Sequence, residues 1–322
     1  MNSQRTSARK RGFTLMELMV AMAITSIIVT VLVSVTSVAI DTWNRSRSEI
    51  RAARQAKAMI DAMSKDFESL VTRRGNSNEW LSAVSDTAAN LPGGSNLKSS
   101  NAAQLMFFSA ATDRYNGKIG VAGSDYGGDV SCVAYQLYYK NAVNPATAGF
   151  ETFILRRLVV DPDDAFRDML GKASLLPTLA TTPTAPAGGV KPSPKDKKYS
   201  DQLADATNFI CENIYQFSLT FNVVIDGVPN PVQYTVGPSN TGQTTNRFNI
   251  LGSGLSSNNL GSLTAAQLAA GKLTSVQVTV SVLSDFGLEQ SKRRTFADDA
   301  AKAVFLAKNS YQYAKLVQLP AM

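Results

Sequence analysis

The chain has 322 residues, of which 44% are hydrophobic and 8% aromatic, enough for one large or two ordinary domains, and this excludes a disordered protein. It contains no histidine, which excludes imidazole catalysis and histidine-ligated metal sites, and its two cysteines are too few for a disulfide scaffold or a four-thiolate site. The net charge of +7 falls to +3, with 28 basic and 25 acidic residues, without the four basic residues that precede Gly12, so it does not indicate nucleic-acid binding.

The N-terminal segment combines a basic leader with a long apolar run. Arg9, Lys10 and Arg11 precede Gly12, and the 23 residues from 18 to 40 carry no charge. About 20 apolar residues are enough for a helix to cross the hydrocarbon layer of a membrane. Because the basic residues come first, the positive-inside rule predicts a cytoplasmic N-terminus. A secretory signal has a shorter apolar core, so ordinary signal peptidase is the weaker interpretation.

Glu17 is a charged residue at the start of this apolar run. An ionisable group at the edge of hydrocarbon is costly unless it is paired or protonated, and such residues are candidates for function. The alternative is a structural role, in which an acidic residue in the first turn interacts favourably with the helix dipole. The residues around Glu17 distinguish the two interpretations.

The stretch KRGFTLMELMVAMAI resembles the N-terminal signature of type IV prepilins and type II secretion pseudopilins. The residues that carry the resemblance are Gly12, Phe13, Thr14, Leu15 and Glu17. They follow a basic leader and precede an unbroken apolar run, and the resemblance covers roughly residues 9–40. In that family a membrane-embedded prepilin peptidase cuts after the glycine and methylates the new N-terminal amine.

The resemblance implies a role for each of these residues. Cleavage would fall between Gly12 and Phe13, and residues 1–12 would be the leader. Phe13 would carry the methylated amine, and the Glu17 carboxylate would meet the amine of a neighbouring subunit when the helices stack. Two charges that are each costly in a low dielectric become tolerable as a pair, which favours the correct register between subunits.

The resemblance also implies partners and a location. The expected partners are the prepilin peptidase, other pilin or pseudopilin subunits and an assembly platform in the bacterial inner membrane. The chain would cross that membrane once, with its head in the periplasm, and would then enter a filament.

The apolar run continues into an amphipathic stretch. No Gly or Pro occurs from residue 13 to residue 74, which predicts one helix of about 62 residues. Residues 13–40 would be the transmembrane or filament-core half of this helix, and residues 41–74 would be its amphipathic half. The first half lacks the proline that many pilins carry there. Spacings of three and four residues predict that one face of the second half packs on a sheet. The residues of this face are Ile50, Ala53, Ala56, Ile60, Met63, Phe67 and Leu70.

Residues 75–322 predict a β-rich head. Stretches rich in aliphatic and aromatic residues predict strands within 103–110, 129–140, 152–161, 209–227 and 273–285. In the last stretch, valines at every second position from 276 to 282 indicate one buried face. Short strands joined by turns suit an antiparallel sheet. The predicted fold class is therefore α+β, a long N-terminal helix packed on a mainly antiparallel β-sheet head, similar to that of pilins.

Three segments of the head are predicted to lie outside the sheet. Residues 75–101 predict a polar loop with one helical turn near Trp80. Residues 177–200, rich in Pro, Thr, Ala and Lys, and residues 237–272, rich in Gly, Ser and Asn, predict flexible insertions, the second with a short helix at LTAAQLAAG. Near the C-terminus a helix is predicted from Thr295 to about Asn309, followed by a last strand or a tail.

The remaining candidate sites in the head each have a plainer alternative. Cys132 and Cys211 fall in predicted strands and could form one disulfide or stay two small buried residues. The acidic clusters at 123–129 and 161–164 contain ligands for calcium but lack the EF-hand spacing, so we assign no metal and no cofactor. The basic clusters at 191–198 and 291–294 lack interleaved aromatic residues, so we expect no nucleic acid.

These observations predict a structural subunit and not an enzyme. The subunit would belong to a type IV pilus or a type II secretion pseudopilus, and its long insertions suit a minor, low-copy subunit. The order of the strand segments loosely resembles that of the J-type minor pseudopilin at the filament tip. The alternative is an uncleaved, single-pass membrane anchor that displays an extracytoplasmic binding domain.

Overall fold

The computed structural model describes residues 14–86, 90–110, 130–144, 147, 149–185, 196–237, 244–245 and 247–320. The chain divides into two compact units, with the boundary between Ile50 and Arg51. The predicted cleavage-site residues Gly12 and Phe13, and the acidic cluster at 123–129, lie outside the described residues.

One helix dominates the N-terminal part of the chain. Helix α1, Leu15–Glu68, has 54 residues and continues across the boundary between the two units. Its length follows from the absence of Gly and Pro, the two residues that most often end or kink a helix.

An antiparallel sheet of seven strands forms part of the head. The strand bounds are β1 Glu79–Ser85, β2 Ala103–Ala110, β3 Val130–Asn141, β4 Glu151–Val160, β5 Phe209–Glu212, β9 Arg247–Leu251 and β10 Gly254–Ser257. Their order in the sheet is β10-β9-β1-β2-β3-β4-β5.

A second sheet has five strands. The strand bounds are β6 Ile214–Val224, β7 Val232–Val236, β8 Thr244–Thr245, β11 Lys272–Leu283 and β12 Ser310–Gln318. Their order is β12-β11-β6-β7-β8, and among the described pairs β7 and β8 are the parallel one. The alternating valines of β11, from Val276 to Val282, are fully buried, which confirms the pattern seen in the sequence. The α+β fold with a mostly antiparallel head is therefore confirmed.

Short helices connect the strands. The α-helices are α2 Pro162–Asp164, α3 Tyr199–Leu203, α4 Ala265–Ala270, α5 Asp285–Arg293 and α6 Asp299–Asn309. A π turn, Ala165–Met169, follows α2, and 3-10 turns occur at Leu176–Ala180 and Ala206–Asn208. Helix α4 is the helix predicted at LTAAQLAAG. Helix α6 begins later than predicted because the Asp298 side chain caps it, accepting from the Ala301 N–H at 2.7 Å.

Helix α1 ends six residues before the predicted end at residue 74. The backbone beyond Glu68 bonds instead to β2: the Val71 N–H donates to the Phe108 carbonyl at 2.9 Å, and the Ala110 N–H donates to the Ser69 carbonyl at 2.8 Å. These bonds replace those of another helical turn, so the chain leaves the helix where the sheet can satisfy its backbone groups.

The second half of α1 packs into the head through one face, as its spacing predicts. The predicted residues Ala56, Ile60, Met63 and Phe67 are buried, and the Phe67 ring stacks on Phe107 with centroids 4.8 Å apart. The face differs from the prediction at its start, because Ile50 is 52% exposed. Two residues that the prediction left out, Ala52 and Met59, are buried.

A buried carboxylate joins this face to the first sheet. Asp66 accepts from Arg157 of β4 through both carboxylate oxygens, at 2.7 Å from Nε and 2.6 Å from Nη2. The Tyr135 hydroxyl of β3 donates to the same carboxylate at 2.5 Å. Burial, and then the charge of Asp66, raise the pKa of Tyr135, so the phenol stays protonated and can donate. The three side chains set the register of α1 against the sheet.

The segment 75–101 contains a strand where the sequence predicts a loop. Strand β1 lies between β2 and β9 and pairs with both. Its Glu79 is buried, accepts from the Leu175 N–H at 2.5 Å and pairs with Arg247 at 3.3 Å. Trp80 is buried as well. Small and polar residues give β1 a weak local preference for a strand, and its two neighbours supply the pairing.

The two predicted insertions also carry structure in their described parts. Strands β9 and β10 and helix α4 lie within 237–272, and β9 pairs with β1 on one side and β10 on the other. Within 177–200, the buried Tyr199 donates to Asp168 at 2.9 Å, while residues 186–195 lie outside the described residues. The composition of these two segments predicted loops, because local composition carries no information about pairing with strands elsewhere in the chain.

The two cysteines are buried free thiols, so the disulfide considered from the sequence is not present. Cys132 lies in β3 opposite Val160 of β4, whereas Cys211 lies in β5 opposite Leu155 of β4. One strand therefore separates them, and neighbouring strands are about 4.8 Å apart. A disulfide needs Cα atoms within about 7 Å, and this lateral separation together with a five-residue offset along β4 exceeds that distance.

Replacing Asp66 should weaken the head much more than replacing a neighbouring exposed acid. Asp66→Ala leaves Arg157 and the Tyr135 hydroxyl without their shared acceptor, so we expect a loss of about 3–5 kcal/mol in the free energy of unfolding. The matched control is Asp61→Ala on the same helix, whose pair with Lys315 at 3.5 Å is exposed and should be worth less than about 1 kcal/mol. Denaturant unfolding of the full chain in detergent measures both, and equal losses would contradict the role of Asp66.

Candidate functional site

The first turn of α1 is built around a reciprocal pair, Thr14 and Glu17. The Thr14 hydroxyl accepts from the Glu17 N–H at 3.2 Å, and the Glu17 Oε2 accepts from the Thr14 N–H at 2.9 Å. The hydroxyl also donates to the same Oε2 at 2.9 Å. This arrangement is a capping box, which satisfies backbone donors that the first helical turn leaves without partners.

The second oxygen of the Glu17 carboxylate is available. Among the described residues, Oε1 of Glu17 makes no hydrogen bond, and the side chain is exposed. The capping box therefore holds the carboxylate in one orientation through Oε2 and leaves Oε1 to accept from a group outside this chain. A cation such as an ammonium group is suited to that position, because it donates hydrogen bonds and carries the opposite charge.

The helix beyond Glu17 is apolar and uncovered. Every residue from 14 to 47 is exposed, and the most apolar 18-residue window of α1 has a mean hydropathy of 2.6. By length and composition this helix could cross a membrane. Nothing in the described part of the chain shields it from water.

The threonine hydroxyls within the apolar run bond to their own helix. The hydroxyls of Thr25, Thr30 and Thr36 each donate to the carbonyl four residues before them, at 2.8 Å. Thr42 does the same, also at 2.8 Å. A hydroxyl that is bonded in this way does not need water, so these threonines are compatible with a lipid or helix-lined environment.

The acidic cluster at 161–164 is paired with an arginine. Asp164 of α2 forms an ion pair with Arg167, and Arg167 also approaches Asp168 at 3.4 Å. Burial raises the pKa of Asp168, but hydrogen bonds from Thr184 and Tyr199 and the charge of Arg167 outweigh it, so that pKa is lowered. Among the described residues no group of three or more His, Cys, Asp or Glu side chains is arranged to hold a metal.

The described basic cluster at 291–294 lies at the end of α5. Lys292 pairs with Glu289 at 3.0 Å, and Arg293 approaches the same carboxylate at 4.0 Å. These are exposed pairs on one short helix, as in a solvated surface.

Two functional features were missed from the sequence. The capping box follows the pattern Thr-x-x-Glu at residues 14–17, which is readable from the sequence alone. The sequence-based prediction gave Glu17 either a helix-dipole role or a pairing with a neighbouring amine, and it did not include Thr14 as a partner. The bonding of Asp66 to Arg157 and Tyr135 has no comparable signal, because those partners lie 91 and 69 residues away in the chain.

Comparison with known proteins identifies the N-terminal segment only. The family model described as the prokaryotic N-terminal methylation motif matches residues 7–33. No curated protein and no solved structure matches the chain.

Removing the Thr14 hydroxyl should loosen the first turn of α1. In Thr14→Val the capping box loses both hydroxyl bonds, so the backbone amides of residues 15–18 should exchange hydrogen roughly fivefold faster. Thr14→Ser keeps the hydroxyl and is the matched control, with nearly unchanged exchange. Hydrogen exchange of the full chain in bicelles, read by mass spectrometry, measures the effect, and unchanged exchange in Thr14→Val would contradict the capping role.

Proposed function

We propose that this chain, a pilin-like protein with a prepilin-type methylation motif, is a structural subunit of a type IV pilus or a type II secretion pseudopilus. A prepilin peptidase would remove residues 1–12 and methylate Phe13, and the subunit would assemble through α1. The proposal rests on the long, apolar and fully exposed first half of α1. A surface of this kind is unfavourable in water, so it must be covered by lipid or by helices of other subunits.

The position of Glu17 supports assembly through stacked helices. Its carboxylate is the one charged group among residues 14–40 and lies at the start of the apolar run. Its Oε2 is held by Thr14. Its Oε1 can therefore accept from the amine of Phe13 in a neighbouring subunit, and this pair would set the axial register of the filament.

The same features support a location and partners. The apolar part of α1 would anchor the chain in the bacterial inner membrane, with a cytoplasmic N-terminus and a periplasmic head. The partners would be the prepilin peptidase, other pilin or pseudopilin subunits and an inner-membrane assembly platform. Assembly energy would come from those partners, and the subunit itself would be neither an enzyme nor a cofactor-binding protein.

We further propose a minor subunit. The head spans residues 51–322 and contains two sheets and several connecting segments, which suits a low-copy position better than a densely packed shaft. The J-type assignment stays a prediction, based only on the order of strand segments.

The alternative is an uncleaved anchor that displays the head as a binding domain. It shares the membrane helix with the first proposal but leaves Glu17 without a role beyond capping the first turn. The methylation motif at 7–33 favours the processed subunit. The two proposals differ in the mature N-terminus and in the need for Glu17.

The mature N-terminus should be N-methylated Phe13. Peptide mass spectrometry of protein extracted from cells with an active prepilin peptidase should yield a terminal peptide that starts at Phe13 with one added methyl group. Gly12→Val should leave the leader in place, because the residue before the cut is then too large for a site that accepts glycine. A wild-type N-terminus near Met1 in the same cells would favour the uncleaved anchor.

Replacing Glu17 should block filament assembly without removing the head from the membrane. Glu17→Gln keeps a hydrogen-bonding side chain but removes the charge that would pair with the neighbouring amine, so we expect little incorporation into filaments. Glu49→Gln is the matched control, since Glu49 is an exposed acid of α1 beyond the uncharged run. Sheared filaments and membrane fractions are compared by immunoblot. Normal incorporation of Glu17→Gln would count against the role of the carboxylate.

A further inference from the structure

Three exposed side chains follow the apolar run of α1. Trp43 is 70% exposed, and Arg45 and Arg47 are exposed as well. Neither guanidinium group makes a hydrogen bond or an ion pair with another described residue. Arg51, the next arginine of the helix, differs because it pairs with Asp285 of the head. Two free guanidinium groups and an indole therefore come directly after a stretch that is apolar enough to cross a membrane.

The position of these side chains follows from the helix alone. Ile40 is the last residue of the uncharged run, and Trp43, Arg45 and Arg47 follow it by three, five and seven residues on one continuous helix. At 1.5 Å per residue, their Cα atoms lie about 4.5, 7.5 and 10.5 Å beyond that of Ile40. All four residues belong to the first compact unit, so the spacing is independent of the head.

This spacing matches the layers of a bilayer. The polar region on each side of the hydrocarbon is about 5–7 Å thick. The 23 residues from 18 to 40 rise about 34 Å, slightly more than the ~30 Å of hydrocarbon, so a modest tilt accommodates them. With Ile40 at the edge of the hydrocarbon, Trp43 lies within the polar region. Arg45 lies at the outer edge of that region, and Arg47 lies a few Å beyond it.

The arginine side chains point back towards the membrane. In a helix each Cα–Cβ bond tilts towards the N-terminus, which is the membrane side for Arg45 and Arg47. Long basic side chains at the end of a membrane helix use this direction to place their charge in the headgroup layer. Both guanidinium groups therefore reach the level of the lipid phosphates.

The three side chains have the chemistry that suits this layer. A guanidinium group is planar and donates paired hydrogen bonds to phosphate oxygens. An indole buries an apolar ring and presents an N–H, so tryptophan is enriched at membrane–water interfaces. Residues 41–50 contain as many acidic as basic side chains, with Asp41 and Glu49 against Arg45 and Arg47. Binding at this position therefore depends on direct bonds to phosphate and requires no anionic lipid.

We propose that Trp43, Arg45 and Arg47 form an interfacial anchor, in which the indole lies at the edge of the hydrocarbon and both guanidinium groups bind phosphate groups of phospholipids. The inference rests on the membrane anchoring in the proposed function and is independent of filament assembly. It makes the lipid headgroup a ligand of α1 and gives the helix a fixed depth in the bilayer. A subunit that leaves the membrane for a filament must break these contacts.

Tryptophan fluorescence of the full chain in phosphatidylcholine nanodiscs measures the position of the indole. The chain has two tryptophans, and Trp80 is buried against Phe108. Trp43→Phe gives the signal of Trp80 alone, which is subtracted. Quenching is compared between lipids brominated near the headgroup end of the acyl chains and lipids brominated near the chain terminus. Ile28→Trp in the Trp43→Phe background reports whether the middle of the apolar run is in the bilayer.

Solid-state NMR of the same nanodiscs measures the phosphate contact. Arginine is isotopically labelled at the guanidinium carbon, and nearby lipid phosphorus nuclei dephase its signal. The double variant Arg45→Gln/Arg47→Gln should lose the dephased signal of these two residues. Arg73→Gln removes an exposed arginine of the head and is the matched control, in which the dephased signal should be unchanged.

We expect bromines near the headgroup end to quench Trp43 about twofold more than bromines near the chain terminus, with loss of dephased signal in the double variant. Trp43 quenched by neither lipid, or equally or more by the deep bromines, would overturn this inference. So would a dephased signal that the double variant retains. In each of these cases quenching at position 28 by the deep bromines would leave the proposed function standing. Absence of quenching at position 28 would refute the membrane anchoring itself and the inference with it.

Discussion

The structure depends on one constraint, which is that an apolar helix with no cover from its own chain must keep every polar group satisfied. Helix α1 meets this constraint through its own bonds for its backbone and its threonine hydroxyls. Its backbone is one uninterrupted helix, its threonines bond to carbonyls four residues back, and its first turn is closed by Thr14 and Glu17. Only such a helix can move between water, lipid and a bundle of similar helices without exposing unpaired donors or acceptors. The proposed function, in which a membrane-anchored subunit later enters a filament core, requires this property.

The head has the opposite task, because it must hold the same helix in one register. Small residues such as Ala52 and Ala56 allow close approach, and larger ones such as Phe67 fill the space against the sheet. The buried carboxylate of Asp66, with Arg157 and Tyr135, adds direction to this packing, because its bonds are made at one register only. A force applied to α1 during the proposed assembly would therefore be transmitted to the first sheet of the head.

The sequence predicted most of the helix and the strands whose pattern is strong. The valines of β11 and the stripe of α1 alternate with the correct period because one side of each element is buried. Strands β1 and β9 were missed, since β1 contains small and polar residues and β9 lies in a Gly- and Asn-rich segment. Each is a strand because it pairs on both sides, and the two pair with each other although they are far apart in the chain. The cysteines illustrate the same limit. The sequence placed both of them in strands, but it could not show that β4 lies between those two strands.

The sequence by itself determined the features that rest on neighbouring residues. These are the continuous helix, the uncharged run, the capping pattern of Thr14 and Glu17 and the methylation motif, because helix capping and apolar length are local properties. The tertiary structure alone decided where α1 stops, which partners Asp66 has and that β4 lies between the strands of the two cysteines. Those outcomes depend on contacts between residues far apart in the chain, and a strand or side chain has no local signal for the partner that it will meet.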